Sequence, residues 1–364
     1  MINYNTIHEW LAHFVERSGK KIRWALRRYR LRKGIKQYLQ KPYKLTKEQK
    51  RAAKTYWKRY TRHFSPLWHE LYYERTGVFD VRFVPEDIQF TEIEDYFNSW
   101  KAAYGIDNKN YYSMFFPEAK HPETLIRKVR GVYRDEDYNI IEESTAINKC
   151  REAGKLIVKL AIEAGKGTGV WVWETEDGIE RLNQLIKNTK NDIVVQKFLT
   201  QSKEMEAVNP TSVQIIRVMT MLNSKHEIEI VKAFFQFGRT ESKISQEILG
   251  GAQVSINDDG KLDRYSWDAD YAKDTQHPNG LVYDGWKVPG YKEVCNKAIE
   301  LHKKMVDFRL ISWDFALDVN NEPVFIEMNI KYGGINAHQL GSGPLYGDKT
   351  DSTLNEVYGK CKKI

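Results

Sequence analysis

Three oxygen-bearing side chains near the C-terminal end of the sequence are candidate metal ligands: Asp314, Glu327 and Asn329. They occur in segments 309–319 and 324–329, where polar and apolar residues alternate as they do in β-strands. Asn320-Asn321 lies between these segments and predicts a two-residue hairpin turn, because asparagine tolerates a positive φ angle. This register predicts that Asp314 faces Glu327 and that Asn329 lies two residues further along the same face.

Such a pair of carboxylates needs a neutralising partner, because like charges that face each other across two strands destabilise a sheet. Carboxylate and amide oxygens are the ligands that suit Mg²⁺, which keeps its other positions for water and phosphate. The hairpin therefore predicts a magnesium site. An ordinary exposed acidic strand pair is the alternative.

The spacing of these residues resembles the metal signature of the ATP-grasp superfamily, an Asp followed thirteen residues later by Glu-x-Asn. Further landmarks of the family occur upstream in the order that the family requires. The resemblance covers about residues 100–364. It implies an α+β ATP-grasp fold, in which two α+β lobes grip ATP together with one or two Mg²⁺ ions.

Two lysines resemble the phosphate-binding pair of the family: Lys109 in the segment IDNKNYY, and Lys159 on a predicted buried strand. The segment after that strand resembles the flexible loop that folds over the triphosphate: Gly165, Lys166, Gly167, Thr168 and Gly169. Glycines let backbone N–H groups converge on phosphate oxygens, and lysine adds a compact positive charge. The spacing does not match the Walker A motif, which disfavours a P-loop fold. Taken alone, the glycine segment would predict a turn.

The segment DIVVQKFLT resembles the hinge that recognises adenine. The resemblance assigns polar contacts with the purine edge to Gln196 and Lys197, and a backbone contact to Leu199. The family more often has Glu where this chain has Gln196, and an amide oxygen can accept a hydrogen bond in its place. Glu204 is the candidate for the ribose-binding acid. Taken alone, this segment would predict only a buried strand.

Downstream residues resemble the catalytic cleft of the family. Arg217 lies on a predicted strand where several family members use an arginine against phosphate or acyl-phosphate, with an ordinary surface arginine as the alternative. Gly250-Gly251 resembles a glycine pair near the cleft, and Lys331 with Gly333-Gly334 is expected on the acceptor side. Lys159 and Arg217 are the predicted catalytic residues, because such cations balance the charge that builds up on a transferred phosphoryl group.

Within the superfamily, the segments FVPEDIQFTEIEDYFN, DNKNYY and PTSVQIIRVMT resemble the branch associated with sugar transfer and with capsular or exopolysaccharide gene sets. The resemblance implies a ligase that activates a carboxylate as an acyl-phosphate and joins it to an amine, with ADP and phosphate released. Expected partners are a carbohydrate or lipid-linked glycan precursor with a carboxylate, such as a uronic acid, and an amine or amino acid. A catalytically silent nucleotide-binding scaffold and a phosphotransferase are the alternatives.

The elements that must position these residues fall into four predicted regions. Residues 1–82 are expected to form a basic, aromatic-rich helical region, and residues 83–155 a lobe that precedes the grasp. Residues 156–205 are expected to form the small lobe with the glycine loop and the hinge. Residues 206–364 would form the large lobe with the metal hairpin. Alternating strands and helices are expected from about Phe83 onward.

Positive charge is concentrated in residues 20–62, which hold eighteen Lys and Arg against one acid, whereas the whole chain carries +8. Apolar spacing predicts a helix from Lys20 to Gln40, ended by Pro42, and another from Thr46 to about His63. The cations are either solvated helix faces or a binding surface for a polyanion or an anionic membrane. Five aromatic residues predict helix packing rather than base stacking: Trp57, Tyr60, Trp68, Tyr72 and Tyr73.

Other classes of protein are disfavoured. The three cysteines are too few and too widely separated for a disulfide framework or a zinc site, and the histidines show no paired ligand spacing. No nucleic-acid-binding module is recognisable, so no nucleic acid is expected as a partner. The first residues lack the apolar stretch of a signal peptide, and no segment has the roughly 18 apolar residues of a membrane span. We expect a cytoplasmic location, with residues 20–62 as the region that would contact the inner face of a membrane.

Overall fold

The computed structural model describes residues 4–162, 169–239, 245 and 250–359, without the side chains of residues 4–14 and 17. The chain forms two compact units, one of residues 1–96 with 343–364 and one of residues 97–342. None of the described helices combines the length and the apolar character needed to cross a membrane.

The helices are, in chain order, α1 (Tyr4–Lys36), α2 (Lys47–Lys58), α3 (Leu67–Thr76), α4 (Glu86–Ile88), α5 (Glu94–Phe97), α6 (Trp100–Ile106), α7 (Tyr112–Phe115), α8 (Glu143–Glu152), α9 (Gly178–Ile186), α10 (Lys203–Val208), α11 (Tyr291–His302), α12 (Asn336–Ser342) and α13 (Thr350–Gly359). A π-helical turn joins α4 to α5 at Gln89–Ile93. Short 3₁₀ turns lie at Lys109–Tyr111, Thr175–Asp177 and Gly347–Lys349.

The strands are β1 (Thr124–Val129), β2 (Val132–Arg134), β3 (Lys155–Leu160), β4 (Val170–Glu174), β5 (Ile193–Lys197), β6 (Ile215–Leu222), β7 (Ile228–Gly238), β8 (Gly251–Ile256), β9 (Leu262–Trp267), β10 (Lys273–Asp274), β11 (Leu310–Leu317) and β12 (Pro323–Asn329). The first of them begins at Thr124, so the expectation of strands from about Phe83 is wrong. Short helices occupy the segment between these two residues.

The first unit is helical around an aromatic core. Trp57, Trp68 and Tyr72 are fully buried, which confirms that these rings pack between helices, and the Trp57 indole N–H donates to the Val81 carbonyl at 2.9 Å. Thr46 begins α2 through a reciprocal capping box with the residue three positions on. The helix ends at Lys58 rather than near His63. Its last turn tightens into hydrogen bonds to carbonyls three residues back, and the chain then leaves the helical path.

Helix α1 is longer than the predicted helix 20–40, since it begins at Tyr4, and it ends earlier, at Lys36. Its apolar residues lie on two opposite faces. Trp24 and Ile35 are buried against the rest of the first unit, whereas Ile22 and Leu26 are exposed. The apolar spacing identified the helix correctly but did not distinguish its two faces.

The small sheet of the second unit has five described strands in the order β2-β1-β5-β3-β4, all antiparallel. Helices α8 and α9 cover one face, where Cys150, Trp173 and Leu182 are buried. The sheet joins β1 and β2 to β3, so it runs across the sequence boundary expected at residue 155. Antiparallel pairing brings strands together that lie far apart in the chain.

The large sheet has seven described strands in the order β10-β9-β8-β7-β6-β11-β12, also antiparallel. Its apolar face buries Phe235, Val254, Ile311 and Trp313 in one core, against which α11 packs. The opposite face carries four of the polar residues that the sequence singled out: Arg217, Asp314, Glu327 and Asn329. Strand β11 lies between β6 and β12, so one residue from each of these three strands can lie in a row across the sheet.

The metal hairpin has the predicted pairing but a different turn. Asp314 faces Glu327 and Ser312 faces Asn329, as expected. The turn is a three-residue loop, 319–321, in which Asn321 has a φ of 60°. The Asp318 carboxylate accepts the backbone N–H groups of Asn320 and Glu322. A β-bulge between this loop and Glu327 restores the predicted register, since it adds one residue to β12.

Candidate active site

A row of charged side chains crosses three neighbouring strands of the large sheet. Arg217 on β6 faces Asp314 on β11, which in turn faces Glu327 on β12. The Arg217 guanidinium donates two hydrogen bonds to the Asp314 carboxylate, each 2.5 Å long, and it also lies over the Phe234 ring. Paired charge-assisted hydrogen bonds of this kind fix both side chains. Arg217 is therefore ion-paired with Asp314, one of the two facing carboxylates, and is not an isolated surface arginine.

Lys109 reaches this row from a different part of the chain. It begins a 3₁₀ turn, and its backbone N–H donates to the Ala161 carbonyl at 2.8 Å, just beyond the end of β3. Its ammonium nitrogen lies 3.1 Å from a carboxylate oxygen of Glu327, and both side chains are mostly buried. The first predicted phosphate lysine is thus in direct contact with a predicted metal ligand.

Arg127 and Tyr138 hold the segment that carries Lys109, and no sequence pattern indicated this role. The Arg127 guanidinium donates to the Asn110 carbonyl at 3.1 Å and to the Ser113 hydroxyl at 3.0 Å, and it stacks on the Tyr138 ring. The Tyr138 hydroxyl donates to the same carbonyl at 3.0 Å. Because Arg127 is buried, these bonds fix the 3₁₀ turn firmly against β1.

Lys159 lies on β3 and is only 7% exposed. Burial lowers the pKa of its ammonium group to about 8, since the charged form loses water; Glu327 and Asp314 raise it, and Lys109 lowers it further. The predicted pair of phosphate lysines therefore shares one electrostatic environment with the two carboxylates. A buried lysine of this kind becomes a stronger anion ligand when a phosphate replaces the missing solvent.

The two carboxylates respond to burial in opposite ways. Burial opposes the ionisation of Glu327, but Lys109, Lys159 and Arg217 outweigh it and hold its pKa at about 2. Burial raises the pKa of Asp314, and Arg217 offsets part of that rise. At neutral pH the cluster thus contains three cations, Lys109, Lys159 and Arg217, together with an ionised Glu327. It also contains Asp314, whose raised pKa is partly offset by Arg217. The excess of positive charge favours a polyanionic ligand.

The donor set fits Mg²⁺ when a phosphate accompanies it. Asp314, Glu327 and Asn329 present oxygen atoms on one face of one hairpin. No cluster of three or more His, Cys, Asp and Glu occurs in the described part of the chain, so the set depends on the asparagine amide. Arg217 and Lys109 already hold the two carboxylates, and a further dication beside three cations would be repelled unless phosphate charge balances it.

Lys109, Lys159 and Gln196 line the same cleft, part of which is open to solvent. Gln196 lies on β5, between Thr124 of β1 and Ile157 of β3. The cleft thus brings a predicted adenine-hinge residue together with the two predicted phosphate lysines. Arg127 and His121 also line it and were not predicted from the sequence.

The other predicted nucleotide-binding residues lie apart from the charged row. Lys197 is exposed and forms an ion pair of 2.7 Å with Glu123, and Leu199 is half-buried just after β5. Glu204 is exposed on α10, where its carboxylate interacts with the side chain of Asn321. Their contacts with adenine and ribose stay predictions.

The structure describes only part of the predicted glycine loop, residues 165–169. Gly165, Lys166, Gly167 and Thr168 lie outside the described residues. Gly169 follows them, and its carbonyl accepts the Leu160 N–H at 2.8 Å. A Cβ atom at this position would lie 2.8 Å from the Leu160 side chain, so the close approach of the two backbones requires glycine.

Lys331 lies beyond the metal hairpin in an aromatic setting. Its ammonium nitrogen is 4.3 Å from the centre of the Tyr104 ring and 5.6 Å from that of Trp100, and Asp107 lies at 3.9 Å. Burial lowers its pKa, and Asp107 partly restores it. Gly333 packs so closely on the Ser312 hydroxyl that a Cβ atom would come within 2.7 Å. This segment therefore lies against the strand that carries Asp314.

His338 on α12 is a further group that the sequence did not reveal. It is fully buried with its ring 4.6 Å from that of Phe234, which faces Arg217. Neither ring nitrogen has a hydrogen-bond partner among the described residues. Burial, Arg217 and Lys232 lower its pKa to about 3, so the imidazole is neutral at physiological pH. No sequence signal, such as a paired ligand spacing, could have identified it.

Two antiparallel sheets with helices, a lysine-lined cleft and an Asp…Glu-x-Asn hairpin together define the α+β ATP-grasp fold, with a basic helical region before it. The chain belongs to the sugar-transfer associated ATP-grasp family, which it matches over residues 90–350.

Three solved structures are similar to this chain over about 72% of its length. Biotin carboxylase from Campylobacter jejuni, as a β,γ-ATP complex, is 15% identical with a TM-score of 0.45, covering 72% of this chain and 48% of its own. D-alanyl-alanine synthetase A from Vibrio cholerae is 13% identical with a TM-score of 0.45, and the match covers 72% of this chain and 66% of that protein. The ATP-grasp ligase PsnB is 12% identical with a TM-score of 0.42, and the match covers 72% of this chain and 61% of that protein. Its structure is a complex with a phosphomimetic variant of the minimal precursor, Mg and ADP.

This chain therefore spans about half to two thirds of the length of those proteins. A search among curated proteins found no match.

Proposed function

We propose that the protein is an ATP- and Mg²⁺-dependent ligase that activates a carboxylate as an acyl-phosphate and joins it to an amine. The observation that carries the proposal is the meeting of Lys109, Lys159 and Arg217 with Asp314 and Glu327. These residues come from separate segments of the chain. Three cations around two carboxylates suit a nucleoside triphosphate with its metal far better than they suit a neutral ligand.

In the proposed reaction, Lys109 and Lys159 bind phosphate oxygens of ATP. Arg217 stabilises the charge that develops on the transferred phosphoryl group. A bound Mg²⁺ would supply positive charge that offsets the charge of the phosphates. Asp314, Glu327 and Asn329 would hold it, so Lys109 and Arg217 would turn from these carboxylates towards the phosphates.

The chemical steps conserve atoms and charge without a nucleophile from the protein. An oxygen of the substrate carboxylate attacks the γ-phosphorus, and the bond to the β-phosphate oxygen breaks to release ADP. The amine then attacks the acyl carbon of the acyl-phosphate. Phosphate leaves, and the amine proton passes to phosphate or water. The buried cations position the reactants and balance their charge, which is the main contribution a protein makes to phosphoryl transfer.

The proposed carboxylate is a uronic acid, or a related acid, of a surface polysaccharide precursor, and the amine is a small amine or an amino acid. The family description, sugar-transfer associated, supports this class of substrate. The setting of Lys331 supports it as well, since it places a cation suited to a carboxylate beside the aromatic side chains of Trp100 and Tyr104.

The test is a coupled assay that mixes the protein with Mg-ATP, a panel of uronic acids and a panel of amines. We expect ADP release that requires both co-substrates, and a product whose mass corresponds to an amide. A phosphorylated product without amide would instead support a phosphotransferase. Absence of ADP release across the panels, together with tight nucleotide binding, would support a silent scaffold.

Two variants make the assay specific to the site. Glu327→Gln changes a residue of the charged row and should be inactive. Glu322→Gln makes the same chemical change on the same hairpin, but at an exposed position near the turn, and should retain activity. Equal activity of the two variants would contradict the proposed site.

A further inference from the structure

Helix α1 carries a row of large apolar side chains on its solvent-facing side, which we call the exposed stripe: Val15, Ile22, Leu26 and Tyr29. Their exposed fractions are 66%, 61%, 52% and 65%. Steps of seven, four and three residues place all four on one face of a helix with 3.6 residues per turn. The stripe extends for roughly 21 Å along the helix axis at 1.5 Å per residue.

The exposed stripe is distinct from the face by which α1 packs. Trp24 and Ile35 are buried, at 7% and 4% exposure, and lie on the opposite side of the helix. A helix with one apolar face needs only one partner, and α1 already has it within the first unit. Four large apolar residues on the second face are therefore not accounted for by packing in that unit.

Exposed cations border the stripe: Arg23, Arg30 and Lys33. No ion pair involves these three within the described residues. On the buried side, by contrast, Arg28 and Arg32 approach Glu92 and Asp87 at 3.8 and 2.7 Å. The cations next to the stripe thus remain available to an external anion, while those next to the packing face are neutralised by the unit itself.

We propose that α1 docks on the surface of an anionic lipid bilayer, with the exposed stripe inserted at the boundary between headgroups and acyl chains. The bordering cations then contact anionic headgroups. Insertion removes apolar surface from water, and each Lys or Arg near such a surface adds electrostatic attraction. Both features of the helix face are needed for this mode of binding.

Other binding partners would contact only one part of this surface, either the cations or the apolar stripe. An acidic glycan or a nucleic acid would bind the cations and leave the apolar stripe in water. A second copy of the chain would cover the stripe but would bring together two segments that each hold seventeen excess positive charges over residues 20–62. The docking goes beyond the ligase proposal, because it requires neither nucleotide nor turnover.

The experiment is co-sedimentation of the full chain with large unilamellar vesicles, either of phosphatidylcholine alone or with about a third of phosphatidylglycerol. We expect binding to the anionic vesicles that weakens with salt, and little binding to the neutral ones. The triple variant Ile22→Ser, Leu26→Ser and Tyr29→Ser should reduce partitioning at least about tenfold. Its matched control replaces three exposed apolar residues elsewhere, Ile140→Ser, Val282→Ser and Val306→Ser, and should bind as the wild type does.

A second pair of variants tests the charges. Arg23→Gln, Arg30→Gln and Lys33→Gln together should weaken binding clearly more than Lys47→Gln, Lys54→Gln and Lys58→Gln, which remove the same charge from exposed positions of α2. Circular dichroism and size-exclusion chromatography with light scattering confirm that each variant is folded and report its oligomeric state.

Several results would overturn the docking. They are absence of binding to anionic vesicles, equal binding to neutral ones, and an unchanged partition for the triple apolar variant. Equal weakening by both charge variants with no effect of the apolar one would indicate attraction by charge alone, without insertion of the stripe. A dimer that the apolar variant dissociates would assign the stripe to a second copy. None of these results bears on acceptor-dependent ADP release, so the ligase proposal is tested separately.

Discussion

The ammonium group of Lys109 lies 3.1 Å from the carboxylate of Glu327. This ion pair joins the 3₁₀ turn that precedes the small sheet to the β11–β12 hairpin of the large sheet. Glu327 therefore does more than face Asp314 across a strand pair. It compensates the charge of Lys109 and, at longer range, that of Lys159. A change at Glu327 must then affect both the proposed metal site and the two lysines.

The variant Glu327→Gln should lose activity and some stability. We expect turnover to fall at least about a hundredfold, since one ligand and one compensating charge are lost. The free energy of unfolding should fall by about 1–3 kcal/mol, because Lys109 and Lys159 stay buried without that carboxylate. ADP release and urea unfolding measure the two effects, with Glu322→Gln as the control. Normal turnover of Glu327→Gln would show that the metal assignment is wrong.

Binding of Mg²⁺ and of ATP should be strongly coupled. Arg217 and Lys109 occupy the carboxylates in the ligand-free arrangement, so Mg²⁺ alone should bind with a Kd no tighter than about 1 mM. A non-hydrolysable ATP analogue should tighten Mg²⁺ binding at least about tenfold, and Mg²⁺ should tighten binding of the analogue by the same factor. Isothermal titration calorimetry in both orders checks this equality. Tight Mg²⁺ binding without nucleotide would contradict the coupling.

Affinity for ATP should fall as the pH rises through the pKa of Lys159, which burial lowers to about 8. The ammonium form, which binds phosphate, predominates below that pH and is lost above it. We expect about tenfold weaker binding at pH 9 than at pH 7, in proportion to the protonated fraction. Fluorescence titration with a nucleotide analogue measures it. The variant Lys159→Arg keeps its charge over this range, so its affinity should show no such decline.

The variant Lys159→Met should be more stable than the wild type without nucleotide. The pKa of Lys159 is lower in the folded chain than the ordinary lysine value, so the unfolded chain binds more protons between about pH 8 and 10.5. Wild-type stability should therefore rise with pH over that interval, and the variant should lack the rise. At pH 7 we expect a gain of about 1–3 kcal/mol in the free energy of unfolding, with nucleotide binding lost. Urea unfolding at pH 7 and 10 measures both stabilities.

The control for this stability prediction is Lys304→Met, at a side chain that is half exposed and pairs with Glu118. It should change stability little, because an exposed ion pair contributes less than about 1 kcal/mol. If Lys159→Met were clearly less stable than the wild type at pH 7, the cost of burying Lys159 would be smaller than its attraction to Glu327.

Local sequence patterns determined a large part of the site. Alternation of polar and apolar residues placed Asp314 and Glu327 on one face of a hairpin, and their pairing is as predicted even though the turn is not. The strands that carry Lys159 and Arg217 were also predicted, in segments that resemble the ATP-grasp family. These features depend on neighbouring residues in the chain, whose periodicity fixes which side of a strand a residue occupies.

Tertiary structure alone decided how these pieces meet. The position of β6 beside β11 sets Arg217 against Asp314, and the tie from Lys109 to the end of β3 sets its ammonium group against Glu327. The depressed pKa of Lys159 follows from that assembly, as does the division of α1 into a buried and an exposed face. Strand order and burial arise from contacts between residues far apart in the chain, and local periodicity holds no information about which distant partner a face will meet.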